Sequence, residues 1–313
     1  MREFKTIIYE PGRVARIIKN RPEKRNAISH IMYGELEAAF DDAAADSKCR
    51  VIILSGAGPA FSAGHDIVLS SPEAFSMADG TLRGEVPEGM PHDEAVQYLR
   101  TQPKYWKEHY EYFASSMKLN KWRAIPKVTI AMVHGYCVYG GFFNAAAMDL
   151  IFASEDALFL GPVGEYDVGA FDFGARKYKE LLFEHRALPA REAQEIGFVS
   201  RIYPDRDILE KETLAFANRV ADSTTAQYCQ RAKEMINNTM DMMGFSTSVK
   251  VADLVFRAPQ YSLLHEEQGA KGKEAEAHRA ENEARGERGV AQAHLAVENL
   301  KAKLEAERKY YGK

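Results

Sequence analysis

Val128-Thr129-Ile130-Ala131-Met132-Val133-His134-Gly135-Tyr136-Cys137-Val138-Tyr139-Gly140-Gly141 is the stretch whose reading decides the fold. Its first six residues form a nearly unbroken apolar run, which reads as a strand covered on both faces, because a strand wet on one face alternates apolar with polar residues. A glycine-containing turn follows, and then a small-residue helix from Gly140 to Met148. The same succession stands earlier in the chain. Cys49-Arg50-Val51-Ile52-Ile53-Leu54-Ser55-Gly56 is another apolar run closed by glycine, and Phe61-Ser62-Ala63-Gly64-His65-Asp66-Ile67 comes after it. Buried strands alternating with helices predict an α/β layering.

Outward from these runs the pattern continues. Ile7, Ile8, Val14, Ile17 and Ile18 read as two short strands around Pro11-Gly12, and a polar loop, Arg21-Pro22-Glu23-Lys24-Arg25-Asn26-Ala27, comes next. Met32, Leu36, Ala39 and Phe40 then share one face of a helix running from Ser29 to about Asp46. Asp149 to Ala153 is a further strand, and helices are expected over about 175–185, 190–196, 207–220 and 224–242. Residues 68–120 interrupt the regularity with a Pro/Gly-containing stretch and an aromatic-rich helix carrying Trp106, His109, Tyr110, Phe113 and Met117 on one face. An insert of that length is a lid, a partner surface or added core. We therefore divide the chain into a core over 1–200 that includes the insert, a helical region over 201–264 and a charged tail over 265–313. That tail holds ten Glu against ten Lys plus Arg, with Val290, Ala293, Val297, Leu300 and Leu304 at steps of three and four. Such a narrow seam lies either on its own domain or against a partner chain.

Composition removes several classes of function. A formal net charge of -4 leaves no bulk basic field to hold a nucleic acid. No apolar run reaches the roughly 18 to 20 residues of a membrane span, and the N-terminal residues lack a signal-peptide core, so a cytoplasmic protein without membrane contact is expected. Cys49, Cys137 and Cys229 are odd in number and far apart, which fits neither a disulfide framework nor a zinc site.

Glycine lets backbone approach a ligand closely, and a helix start leaves N–H groups pointing outward. Two N–H groups converging on one oxygen would make an oxyanion hole; tight packing of helix against strand is the competing explanation for each glycine pair. Taken together and in order, the motifs Arg21 to Ala27, Phe61 to Asp66, and His134-Gly135-Tyr136 with Gly140-Gly141 and Asp149 resemble the crotonase (enoyl-CoA hydratase/isomerase) superfamily. Leu188 to Ala193, Gly197-Phe198-Val199, Pro204 and Ala232-Lys233 agree with it. The resemblance covers about residues 5 to 255 and leaves out the insert and the tail. It implies a crotonase-like spiral of ββα units with a helical C-terminal oligomerisation region, a homotrimer or hexamer, and an acyl-CoA thioester as substrate. No metal or redox cofactor is implied beyond the coenzyme A that the substrate carries. By position, the backbone N–H groups of His65 and Gly140 hold the thioester oxygen, where an enolate gathers negative charge. Lys24 and Arg25 border the CoA phosphates or are solvated charges. Ala27, Ala63, Gly64, Asp66, Gly141 and Phe143 complete the substrate-binding set.

The departures are equally informative. Hydratases of the superfamily carry a Glu three residues after the oxyanion-hole glycine, and here that residue is Phe143, which cannot transfer a proton. Their second Glu falls, without gaps, on Val163. The loop Gly161 to Gly174 nevertheless offers acids, and its Val168-Gly169-Ala170-Phe171-Asp172 resembles the loop of dihydroxynaphthoyl-CoA synthases, an alignment that sets Glu165 at the second carboxylate. Asp172 lies near the position of the nucleophilic Asp of aromatic acyl-CoA dehalogenases. Glu165 and Asp172 are thus the candidate catalytic acids, against the alternative of exposed loop residues or, for Asp172, a helix N-cap. His65 is expected to contribute its N–H rather than its imidazole, and His134 to pack at the strand end. Hydration or double-bond isomerisation with a single carboxylate comes first. C–C bond cleavage or hydrolysis, decarboxylation and dehalogenation are the other superfamily reactions, and a non-catalytic CoA-binding or scaffold protein is the reading from a different class.

Overall fold

The computed structural model describes residues 3–66, 115–161, 168–251, 291 and 293–309. Two strands, β1 (Ile7–Glu10) and β2 (Val14–Lys19), form a hairpin about Pro11-Gly12. Helix α1 (His30–Ala45) follows, opened by Ser29, whose hydroxyl accepts the Met32 N–H at 3.2 Å. Strand β3 (Val51–Gly56) then pairs with β2 in parallel. After the insert come α2 (Ser115–Arg123), β4 (Val128–Val133), β5 (Tyr136–Val138), α3 (Gly140–Ala146), β6 (Leu150–Ser154) and β7 (Leu158–Leu160). The order closes with α4 (Gly169–Phe173), α5 (Ala175–Glu184), β8 (Leu188–Pro189), α6 (Ala190–Glu195), β9 (Arg201–Tyr203), α7 (Arg206–Ser223) and α8 (Ala226–Met242). Short helical stretches over 245–251 and 293–309 come last.

The main sheet runs β1-β2-β3-β4-β6-β9 and is parallel from β2 onward; β5, β7 and β8 make a second, smaller sheet. Strands β3 and β4 are buried along almost their whole length, as their unbroken apolar runs require. One face of the main sheet packs on α1 through Met32, Leu36, Ala39 and Phe40, and the other on α7 through Leu209, Ala217 and Ala221. Each turn from β4 through β5, and from β6 through β7, passes the chain from one sheet to the other, which is the ββα repeat expected.

The sheet takes its last strand just beyond residue 200, so it runs slightly into what reads in sequence as the helical region. A three-residue strand carries too little periodicity to be seen. Of the aromatic insert only the last turns, within α2, are described; Trp106, His109, Tyr110 and Phe113 lie outside the described residues. No helix among those described is long and apolar enough to cross a membrane.

Candidate active site

The polar loop after β2 makes a 3-10 turn, Pro22–Lys24, and then two left-handed residues, Arg25 (φ 48°) and Asn26 (φ 55°). Asparagine tolerates that conformation, and here its side chain is also a knot. Buried Asn26 accepts the Arg21 N–H on Oδ1 at 2.9 Å and donates from Nδ2 to the carbonyls of Ala57 and Ala60 at 2.7 and 2.8 Å. Its carbonyl accepts the Ser62 hydroxyl at 2.8 Å, and that of Arg25 accepts the Ala63 N–H at 2.9 Å. Arg21 donates from Nη1 to the Ala27 carbonyl and to Asp66 Oδ2, both at 2.8 Å. The side chains of Arg21 and Asp66 are only 7% and 2% exposed, so this is a buried ion pair. Loop and 61–66 segment are therefore one body, with Lys24 and Arg25 exposed upon it and the Asp66 carboxylate turned to Arg21.

That segment lies against the start of α3. Ser62 donates to the Tyr136 carbonyl at 2.9 Å and accepts the Val138 N–H at 3.0 Å, extending the small sheet by one bridge. Residue 65 bridges Ile28 in parallel: Ile28 donates to Gly64 O and accepts from Asp66 N–H. Alternation along an extended strand therefore turns the His65 N–H to the opposite side. Three glycines let the two segments meet. A Cβ at Gly140 would stand 2.8 to 3.1 Å from three atoms of the His65 ring, and one at Gly141 2.6 Å from Ser62 Cβ. At Gly64, φ is +92° and a Cβ would stand 3.1 Å from the Val138 carbonyl. His65 and Gly140 are thus brought into contact, with Gly140 in the first turn of α3, where helix N–H groups have no intrahelical acceptor. This arrangement meets the packing explanation of these glycines.

The His65 imidazole stacks on Tyr33 of α1 at a centroid distance of 6.5 Å, and Tyr33 in turn lies 6.0 Å from Trp122. Burial pushes the imidazole down to about 4, so it is neutral at pH 7. Tyr33 also hydrogen-bonds the Asn144 side chain, and burial raises its phenol well above the usual range. His134 is buried with Nε2 2.9 Å from the Gly58 carbonyl, and desolvation holds it below the ordinary histidine range. Behind the 61–66 segment, Lys19 is fully buried with Nζ 3.5 Å from the Phe61 ring centroid. Desolvation pushes that ammonium down to about 7. The polar anchors Asn26, Arg21–Asp66, Tyr33 and Lys19 join residues distant in sequence.

Phe143 is 4% exposed and sits edge-on to Phe142, 6.2 Å away. Phe142 packs on Phe198 and Phe173, at 5.1 and 6.1 Å. Through Phe173 this aromatic cluster docks α4 beside α3, and Asp172 rides on α4, half-buried. Asp172 is the fourth residue of that helix rather than a cap; Val168 caps α4 and Gly174 caps α5. The helix begins earlier than sequence indicates because Gly169 gives no propensity signal for it. Glu165 lies outside the described residues.

The tail helix over 293–309 lies on its own chain, with Ala296 and Leu300 buried and Leu304 41% exposed. Its seam therefore centres on Ala293, Ala296 and Leu300 rather than running evenly from Val290 to Leu304. Ala296 packs with Val138 and Leu160, and with partly buried Tyr139 and Ala293. Asn299 Nδ2 donates to the carbonyls of Glu184 and His185 at 3.0 and 3.1 Å. Lys303 joins an ion-pair cluster in which buried Arg186 meets Glu180, Glu184 and Glu192.

Parallel ββα turns that set glycine-flanked backbone against a neutral, packed histidine are those of a crotonase fold. The chain belongs to the enoyl-CoA hydratase/isomerase family, whose profile matches residues 10–90 and 94–275. It is similar to EchA13 of Mycobacterium tuberculosis, provisionally an enoyl-CoA hydratase: 38% identical over 277 residues, 84% of this chain and 82% of the other. It is 32% identical over 217 residues to the mitochondrial Delta(3,5)-Delta(2,4)-dienoyl-CoA isomerase of Homo sapiens, covering 66% of this chain and 60% of that one. Among solved structures, an enoyl-CoA hydratase of Mycobacterium smegmatis superposes with a TM-score of 0.61 at 30% identity, over 81% of this chain and 84% of that chain.

Proposed function

We propose that the protein isomerises the double bond of an acyl-CoA thioester. Its main support is the packing of the His65 ring against Gly140 at a helix start, which brings together the two residues whose backbone N–H groups are the proposed donors. In this reading their N–H groups take the thioester oxygen as it gains charge, and no side chain needs to ionise there. One carboxylate from the 161–174 stretch removes a proton beside the carbonyl and returns it further along the acyl chain, leaving the mass unchanged. Glu165 and Asp172 are the candidates for that carboxylate. Isomerisation is preferred to hydration because Phe143, buried among aromatic rings, gives no second proton-transfer group to activate a water. The dienoyl-CoA isomerase relative supports the same choice, whereas the hydratase names of other relatives support hydration.

Lys24 and Arg25, exposed beside the 61–66 segment, would take the CoA phosphates, with Ala27, Ala63, Gly64, Gly141 and Phe143 bordering the acyl group. The reaction requires no metal or redox cofactor. We further infer a cytoplasmic homotrimer or hexamer, supported by free thiols at Cys49, Cys137 and Cys229 and by the apolar outer side of α8, where Met235, Ile236 and Met242 are exposed.

A panel of unsaturated acyl-CoAs followed by mass and absorbance tests the reaction. Changed absorbance at constant mass is expected; gain of one water supports hydration instead, and loss of carbon dioxide or halide overturns both. Glu165→Gln should lower turnover by about 10² to 10⁴-fold with binding nearly intact. Asp172→Asn should do less, and a covalent adduct trapped on Asp172 would replace isomerisation by a displacement reaction.

A further inference from the structure

Tyr139 stands immediately before Gly140 in a backbone conformation that L residues rarely adopt, φ 41° and ψ -110°. Such strain persists only where surrounding structure imposes it. Here the constraints are visible. The Tyr139 N–H donates to the Leu160 carbonyl at 2.7 Å, and its own carbonyl accepts the Phe143 N–H at 2.9 Å. Tyr139 Cβ and Cδ2 lie 3.4 and 3.6 Å from where a Cβ of Gly64 would sit, so the side chain also covers the residue preceding His65. One tyrosine therefore borders both peptide units whose N–H groups are the proposed donors of the hole. Partly buried, Tyr139 also packs against the cluster of Val138, Leu160 and Ala296, as does Ala293. Two of these four residues belong to the tail helix. That helix is itself fixed to the end of α5, since Ala187 donates to the Ala296 carbonyl at 3.1 Å and Asn299 and Lys303 bond Glu184, His185 and Glu180.

We propose that the helix over 293–309 is a clamp on the oxyanion hole, with Tyr139 as the positioning residue through which it acts. The inference rests on the acyl-CoA reading above for its kinetic consequence, but not for its structural one. With the helix in place, Tyr139 cannot relax toward an ordinary φ, and the Gly140 N–H stays aimed at the position of the developing charge. With the helix displaced, the ring loses its cover and the donor wanders. A donor held slightly off position weakens the transition state without changing how the rest of the thioester binds.

The test uses the full chain with Ala296→Glu, which puts a charge into the contact with Val138 and Leu160, and with Lys303→Ala, which loosens the same helix from its polar side. Amide hydrogen exchange over 136–143 should rise about tenfold in Ala296→Glu and less in Lys303→Ala. Turnover should fall about tenfold with KM nearly constant. In a Tyr139→Gly background, Ala296→Glu should have no added effect on either readout, because glycine accepts φ 41° unaided and leaves no ring to hold. Unchanged exchange over 136–143, with the tail helix displaced, overturns the clamp; so does an equal loss of turnover in the Tyr139→Gly background. If exchange responds as expected in a protein that turns over no acyl-CoA, the clamp stands and the proposed reaction falls.

Discussion

Gly140 has no room for a side chain, because the His65 ring stands against it. A methyl group at this position would meet the imidazole of His65 at 2.8 Å. Gly140→Ala should therefore push either the ring or the donor aside and lower turnover about 10²-fold, the order seen when one oxyanion donor is lost. His65→Ala alone should keep most activity, and the double variant should recover much of what Gly140→Ala loses. Steady-state kinetics of the three variants on one acyl-CoA decides this: a double variant as poor as Gly140→Ala places the damage in the backbone. Lys19 permits a different kind of prediction. Its ammonium is fully buried and held near 7, far below the 10.5 of an exposed lysine. Between those values the unfolded chain binds the extra proton, so stability rises with pH across that window, and below about 7 the charge is carried into the core. Lys19→Met should raise the melting temperature at pH 7 and gain less at pH 10, the loss of contact with Phe61 offsetting part of the benefit. A gain independent of pH would mean that the ammonium is not desolvated in the folded state.

Among elements, the loop before α1 and the segment after β3 are one unit because Arg21 and Asp66 neutralise each other inside it. Removing one partner of a buried pair strands the other, typically at 3 to 5 kcal/mol. Asp66→Ala should lose about that much in urea unfolding, and a loss below about 1 kcal/mol would show that water already reaches Arg21. Nothing in the sequence joins these two residues, which lie 45 positions apart, each in a polar stretch. The glycines were legible where the ion pair was not. Close approach of backbone leaves its mark on the residues that make it, whereas a long-range pair leaves none until the chain is folded. Long buried strands such as β3 and β4 announce themselves by unbroken apolar runs. Strands β5, β7, β8 and β9 are two or three residues long and exist only because a neighbour is present to pair with them. Phe143 could be singled out in the sequence, but the ring cluster around its neighbour Phe142, with Phe173 and Phe198, needed the tertiary arrangement.

On the scale of the whole molecule, α8 carries none of its residues fully buried, although Tyr228, Met235, Ile236 and Met242 are large and apolar. If copies of the chain cover this face, Met235→Glu combined with Ile236→Glu should reduce the mass seen by light scattering to that of one chain. An assembly of unchanged mass would locate the contacts elsewhere. The main sheet holds a further consequence. Strands β3 and β4 are hydrogen-bonded neighbours, yet residues 57–127 separate them in the chain. Closing a loop that long is entropically expensive once, but the expense grows only with the logarithm of length, so doubling it would add only about 0.6 kcal/mol. Chain inserted between residues 66 and 115 can therefore be lengthened, shortened or exchanged with little effect on whether these strands pair. A descendant of this protein could acquire a new surround for the contact between His65 and Gly140 by insertion alone, while the strand register beneath that contact is inherited intact.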